Sequence, residues 1–193
     1  MRKLSTIILA LTSLSALALV GCAGTATGEV GSASAPMTLA EYEAKIKDVS
    51  NRGEALTRKM QDEGMKATQD AMKGQNPMDP NAAKAAMPKL AEVMKKFRGD
   101  LQKLFDEMNS VTPPAELKEF HEAKAKEAAT GLAGIDAMVA AMEKSDPAGV
   151  QKAGMDMQDK AMKAKNAANE ALKKAGYDPA KLETEKKFVK LTK

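Results

Sequence analysis

Apolar and small residues recur at alternating spacings of three and four along residues 38–176, and proline-marked breaks interrupt them about every 33 residues. This spacing places the apolar side chains in one stripe along an α-helix. Alanine, lysine, methionine, glutamate and leucine are frequent and β-branched residues are few, which favours helix over strand. The chain is therefore predicted to be all-α.

Two helix starts in the first half of the chain are marked by capping residues. Thr38 followed by Glu41 makes a capping box at the first helix. The second helix is predicted to begin at Asp79-Pro80, because Asp is a good N-cap and Pro fits the first helical position. Pro88 lies inside the second helix and is expected to kink it or to start it afresh.

The later helices are also bounded by prolines. Thr112 is predicted to cap the third helix, with Pro113 and Pro114 in its first turn. The fourth helix is predicted to begin at Asp146-Pro147 and to stop at Gly176.

The four predicted helices are roughly 45–50 Å long and are joined by short links. Neighbours joined in this way must run antiparallel, which predicts an up-down four-helix bundle over residues 38–176. A long two-stranded or oligomeric coiled coil is the alternative. Residues 177–193 are predicted to form a short charged helix that starts at Asp178-Pro179, runs to about Lys190 and packs loosely.

The first 37 residues have a different character. Arg2 and Lys3 precede an apolar stretch from Leu4 to Val20, which predicts a secretory signal peptide over residues 1–21. At about 17 residues, this stretch also reaches the lower limit for spanning a bilayer, so an uncleaved membrane anchor is the alternative. Residues 22–37 are small and polar and are predicted to be a flexible tether with a reach of roughly 20 Å.

The motif L-V-G-C at residues 19–22 contains the only cysteine and resembles the lipobox of bacterial lipoproteins. This resemblance implies cleavage between Gly21 and Cys22, diacylglycerol on the Cys22 sulfur, and a fatty acid such as palmitate on the new amine. It also implies export and a membrane anchor. Ala23, in place of an Asp after the cysteine, implies the periplasmic face of the outer membrane in a Gram-negative cell. The alternative is an ordinary free thiol, which is a liability in an exported protein.

Three pieces of the remaining chain are similar to small secreted helical-bundle lipoproteins of bacteria. They are P-M-T-L-A-E-Y at 36–42, V-T-P-P-A-E-L at 111–117 and A-A-N-E-A-L-K-K-A-G-Y at 167–177. All three are helix starts or stops, so the resemblance implies the bundle fold and assigns no functional residue.

Composition argues against two classes of function. The formal charge of +4 falls by two when Arg2 and Lys3 leave with the signal peptide, and acids and bases are interleaved. Aromatic residues make up 3% of the chain and tryptophan is absent, so a nucleic-acid-binding surface is not expected. No metalloprotease, phosphate-loop or Ser-His-acid motif is recognisable, and Cys22 is consumed by lipid, so no enzymatic activity is expected.

Methionines supply one candidate ligand site. The chain has 14 methionines, and thioethers are suited to Cu(I). Met138 and Met142 share a helix face, and Met155, Met157 and Met162 are close in sequence. Methionines on core stripes also act as adaptable fillers, and methionine-rich surfaces suit partner binding.

His121 is the only histidine and supplies the other candidate site. Four-helix cytochromes hold haem between one His and one Met, and the candidate methionine partners of His121 are Met60, Met94 and Met157. A polar residue at the edge of the core is the alternative role for His121.

These patterns together predict a lipid-anchored, non-catalytic module of the cell envelope that contacts another envelope protein and needs no cofactor. A small-ligand binder for Cu(I) or haem is the alternative. An interaction module should have a filled core, whereas a ligand binder should bring Met138, Met142 or His121 together around a cavity.

Overall fold

The computed structural model describes residues 35–73 and 80–192. Helices contain 84% of these residues, and no strand occurs among them, so the chain is all-α as predicted. No helix in this part of the chain is long and apolar enough to cross a membrane. The helices are α1 (Leu39–Met72), α2 (Pro80–Asn109), a 3-10 helix (Ala115–Leu117), α3 (Lys118–Glu143), α4 (Pro147–Lys174) and α5 (Pro179–Glu185).

The capping box at the start of α1 is confirmed. The Glu41 backbone N–H donates to Thr38 Oγ1 at 3.3 Å, and the Thr38 backbone N–H donates to Glu41 Oε2 at 2.8 Å. These two bonds satisfy donors that the first helical turn leaves without intrahelical partners. The predicted second cap, Asp79, lies outside the described residues.

The start of α3 differs from the prediction. Pro113 and Pro114 do not form its first turn, because the 3-10 helix Ala115–Leu117 precedes α3. A proline at 114 disfavours helical geometry at 113, and Pro114 is itself extended, with φ −53° and ψ 143°. The Thr112 carbonyl instead accepts a hydrogen bond of 2.9 Å from the Met37 backbone N–H.

The two helix starts predicted at Pro88 and at Asp146 have different outcomes. Pro88 does not begin a new helix, because α2 continues through it. Asp146 occupies the N-cap of α4, but its side chain makes no capping bond.

Gly176 ends α4 as predicted. Its φ is +84°, and its N–H donates to the Lys173 carbonyl while the Tyr177 N–H donates to that of Leu172. This is the Schellman pattern, and glycine adopts its left-handed conformation easily.

Two hydrophobic clusters occupy the interior, and both draw residues from all four long helices. We call the first the methionine cluster. Its buried methionines are Met60, Met87, Met94, Met138, Met142 and Met157. We call the second the aromatic cluster. Its ring residues are Tyr42, Phe120, Tyr177 and Phe188.

Each long helix packs against the next along the chain, whereas α1 and α4 have little direct contact. Glu107, near the end of α2, binds Lys45 and Arg52 from the first half of α1. These hydrogen bonds lower the pKa of the Glu107 carboxyl, and the bond from Lys45 has the largest effect. Lys96, near the middle of α2, pairs with Glu63 in the second half of α1 at 3.2 Å.

The end of the chain packs more closely than predicted. α5 ends at Glu185 rather than near Lys190, because Lys186 adopts a left-handed conformation with φ 55°. We call the following segment, residues 186–191, the C-terminal strap. Its Phe188 is only 8% exposed and belongs to the aromatic cluster, so the expected loose packing is wrong.

Candidate functional site

His121 lies at the junction of α1, α3 and the C-terminal strap. The Tyr42 hydroxyl of α1 is 2.7 Å from His121 Nδ1, and the two ring centroids are 5.7 Å apart. Phe188 of the strap stacks on Tyr42 at 5.9 Å between centroids and meets Phe120 edge-on at 6.0 Å. His121 is therefore a buried polar group that contacts Tyr42, one of the rings of the aromatic cluster.

Burial lowers the pKa of His121 to about 4, because desolvation disfavours the charged imidazolium. At neutral pH, the ring is uncharged and has one donor and one acceptor nitrogen. Its Nδ1 is engaged by the Tyr42 hydroxyl. In this arrangement, His121 provides a hydrogen bond that links α1 to α3.

The geometry does not bring His121 to a methionine that would complete a haem site. Met60, Met94 and Met157 belong to the methionine cluster, whereas His121 contacts Tyr42 of the aromatic cluster. The Tyr42 ring and hydroxyl contact the imidazole. The contacts that the structure gives His121 thus lend no support to a haem iron held between His121 and one of the three methionines.

The five candidate methionine ligands for Cu(I) separate into two sets. Met138, Met142 and Met157 are buried in the methionine cluster. Met155 and Met162 are 64% and 57% exposed on the outer side of α4. The structure thus brings three of these side chains into one core cluster and does not bring together the group formed by Met155, Met157 and Met162.

α3 also buries an ion pair that the sequence patterns did not predict. Lys124 Nζ donates to Glu127 Oε2 at 2.7 Å, and both side chains are 6% exposed. Burial raises the pKa of the Glu127 carboxyl, and the positive charges of Lys124 and Lys165 oppose that rise. Lys165 of α4 in turn binds Glu183 of α5 at 2.7 Å. Two interacting ion pairs therefore connect α3, α4 and α5.

The signal for this pair was present in the sequence. Lys124 follows His121 by three residues, and Glu127 precedes Gly131 by four, so both charged residues continue a buried face of α3. Lys and Glu are seldom buried unless paired. A lysine and a glutamate three apart within a helical apolar stripe therefore indicate a buried ion pair.

The groove between α2 and α3 has a volume of about 310 Å³. Phe105, Leu132 and several alanines line it, and Arg98 binds Asp136 across it through two hydrogen bonds of 3.0 and 3.2 Å. None of the six candidate ligand residues lines this groove. It is an open surface feature in which alanines are the most frequent lining residues.

Side chains with nitrogen, oxygen or thiolate ligands form no metal-binding group in the part of the chain that the structure describes. No group of three or more His, Cys, Asp or Glu residues in residues 35–73 and 80–192 is arranged to hold a metal ion. Gly21 and Cys22, the predicted cleavage and lipidation site, lie outside these ranges. No protein-family model matches the chain, and comparisons with curated proteins and with solved structures find no match either.

Proposed function

We propose that the chain is a lipid-anchored, non-catalytic lipoprotein of the bacterial cell envelope whose folded part serves as an interaction or structural module. The single observation that carries this proposal is the L-V-G-C motif at residues 19–22, placed directly behind a basic start and an apolar stretch. Two or three acyl chains hold a protein stably at a membrane, whereas one chain is marginal.

We further propose that the folded part is an up-down four-helix bundle. The ion pairs between α1 and α2 support this arrangement, because the partner in α2 moves back from Glu107 to Lys96 as α1 advances from Lys45 to Glu63. The pairs between α2 and α3 follow the same rule, with Arg98 bound to Asp136 and Lys95 bound to Glu143. Contributions from all four long helices to both clusters support it too.

An interaction role agrees with how the interior is filled. Among the described residues, no buried side-chain nitrogen or oxygen lacks a hydrogen-bond partner. The buried polar side chains are committed to contacts within the fold, as in the pairs of Tyr42 with His121 and of Lys124 with Glu127. The surface, rather than the core, is therefore the part available to another envelope protein.

The anchor is tested by expressing the full chain in a bacterium and measuring the mass of its N-terminal peptide. We expect a peptide that starts at Cys22 and carries acyl groups. Cys22→Ala should abolish processing and acylation, while Thr25→Ala, in the tether, should leave both unchanged. A peptide that starts at Met1, or one that starts at Cys22 with a free thiol, would overturn the proposal.

A Cu(I) site is the second candidate, because Met138, Met142 and Met157 share one core cluster. It is tested by titrating the purified full chain with Cu(I) and following helix melting. A stoichiometric complex that raises the melting temperature, and is lost in Met142→Leu but kept in Met155→Leu, would replace the interaction role with ligand binding. Haem is titrated in the same way, with His121→Ala as the variant.

A further inference from the structure

We propose that the outward side of the C-terminal strap rests on the anionic lipid surface to which the chain is anchored, so that the bundle lies against the membrane at one end. This inference rests on the proposed lipid anchor and adds a second, non-covalent membrane contact to it. The observations behind it are the exposure of Val189, Lys190 and Leu191 and the position at which the N-terminal part of the chain joins α1.

The backbone of the strap is held in place. The Phe188 N–H donates to Glu43 Oε2 at 2.7 Å, the Asp178 N–H donates to the Val189 carbonyl at 2.8 Å, and the Leu191 N–H donates to the Gly176 carbonyl at 2.9 Å. These bonds join the strap to α1 and to the turn that follows α4. The orientation of its side chains is therefore a property of the fold.

One side chain of this segment is buried, and its neighbours Lys187, Val189, Lys190 and Leu191 are all exposed. Phe188 points inward and is 8% exposed, whereas Val189 and Leu191 are 38% and 45% exposed. Two aliphatic side chains are therefore exposed on a backbone that the fold holds in place. The other large exposed hydrophobic residues of the described chain are Met65, Met155 and Met162, which lie on α1 and α4.

The strap lies next to the point where the N-terminal tether joins the fold. Phe188 stacks on Tyr42, and its N–H binds Glu43, both near the start of α1. Met37, just before α1, packs partly buried against the same aromatic cluster. The described chain therefore begins beside the strap, and the predicted tether over residues 22–37, with an expected reach of roughly 20 Å, would let the strap touch the bilayer.

The strap carries positive charge of its own at two exposed lysines. Lys190 extends over the Tyr177 ring, with Nζ 3.7 Å from its centroid, and Lys187 is exposed. Two acids near the strap accept backbone hydrogen bonds, Glu43 from the Phe188 N–H and Asp178 from the Ala180 N–H. Aliphatic side chains alternating with lysines fit the boundary between headgroups and acyl chains.

The test uses the full chain, acylated and reconstituted in vesicles. With Cys22 acylated, Leu191→Cys introduces the only free thiol, which takes an environment-sensitive fluorophore. In vesicles of phosphatidylcholine mixed with phosphatidylglycerol, we expect a blue-shifted emission that lipid-borne quenchers reduce and that high salt reverses. The same label at Met155→Cys, on the outer side of α4, should emit as in water.

Charge variants sharpen the test. Lys187→Gln and Lys190→Gln should each weaken the strap's contact about fivefold, the factor that corresponds to the ~1 kcal/mol of one lysine near an anionic surface. Water-like emission at position 191 in both lipid mixtures would overturn this proposal. So would a shift that needs no phosphatidylglycerol and grows with protein density, since that indicates contact between copies of the chain.

Mass spectrometry of the same sample separates the two proposals. Acyl groups on Cys22 with a water-like label at position 191 would overturn the lipid contact of the strap alone. A chain without acyl groups on Cys22 would overturn the anchor and, with it, the contact that depends on it.

Discussion

The methionine cluster and the aromatic cluster are built from the same four long helices but by different chemistry. The first is packed mainly by flexible thioether and aliphatic side chains, with Phe97 and Phe105 as its two rings. The second is packed by rings from α1, α3 and the strap, and Tyr42 also binds His121 there. Contacts between rings and hydrogen bonds are directional, whereas contacts made by methionine are not.

Because of this difference, we expect the two clusters to respond differently to substitution. Flexible side chains accept changes of shape, so the methionine cluster should absorb conservative substitutions. The aromatic cluster holds the chain terminus beside the start of α1, and each of its rings has a defined neighbour. We therefore expect the aromatic end to set the position of the strap and the methionine end mainly to supply buried area.

The largest expected effect is at Phe188. Phe188→Ala should lower the free energy of unfolding by about 3–5 kcal/mol, because it removes contacts with three other rings and leaves a cavity. Val189→Ala, next to it and exposed, should change stability by less than about 0.5 kcal/mol. Chemical denaturation followed by circular dichroism measures both, and equal losses would mean that the strap unfolds independently of the core.

Removing one partner of the buried ion pair comes next. Lys124→Met should cost about 3 kcal/mol at neutral pH, because Glu127 then stays buried without its closest cation. The double variant Lys124→Met with Glu127→Leu should recover most of that loss. Lys163→Met, which breaks an exposed pair with Asp159, is the matched control and should cost less than about 1 kcal/mol.

Acid should weaken the aromatic end through His121. The pKa of His121 is 6.5 in the unfolded chain and about 4 in the folded chain. Between these two pH values, His121 binds a proton in the unfolded chain but not in the folded chain. Stability therefore falls as the pH falls through this window, by about 2 kcal/mol at pH 4.5.

The His121→Gln variant isolates this contribution. Glutamine has no titratable group and still offers a hydrogen-bonding side chain to Tyr42. Urea unfolding at pH 7 and at pH 4.5 measures how much the free energy of unfolding falls on acidification. This fall should be about 2 kcal/mol smaller in the variant than in the wild type. Parallel losses in the two proteins would show that His121 is not protonated on unfolding in this range.

Glycines test packing at the methionine end. A Cβ added at Gly134 would lie 2.2 Å from Met157 Cγ, so Gly134→Ala should cost about 1–3 kcal/mol. A Cβ at Gly99 meets nothing within 4 Å, and Gly99→Ala should stabilise α2 by up to about 1 kcal/mol. Thermal melting compares the two, and a harmless Gly134→Ala would mean that Met157 moves aside freely.

The smallest effects are expected from substitutions that nearly keep side-chain volume, one in each cluster. Tyr42→Phe removes the hydrogen bond to His121 and should cost about 1 kcal/mol or more. Met94→Leu keeps volume and loses no polar contact, so it should cost less than about 1 kcal/mol. If denaturation midpoints show that Met94→Leu costs more, the methionine cluster is the more specific of the two.

Local sequence signals predict what depends on neighbouring residues. The capping box of Thr38 and Glu41 and the left-handed stop at Gly176 are both predicted correctly, because their hydrogen bonds span only a few residues. The start of α3 is predicted wrongly, because two consecutive prolines suggest a first helical turn, whereas Pro114 holds the chain extended before the 3-10 helix.

The amino-acid sequence is sufficient to predict that the chain is helical, where α1 begins and α4 ends, and which faces of the helices carry apolar residues. The packing of the helices places Phe188 beside Tyr42, more than a hundred residues away, and separates His121 from Met60, Met94 and Met157. Helix starts and stripes follow from interactions within a few turns. The contacts of His121 and of the strap depend on how whole helices pack, and no local pattern encodes that packing.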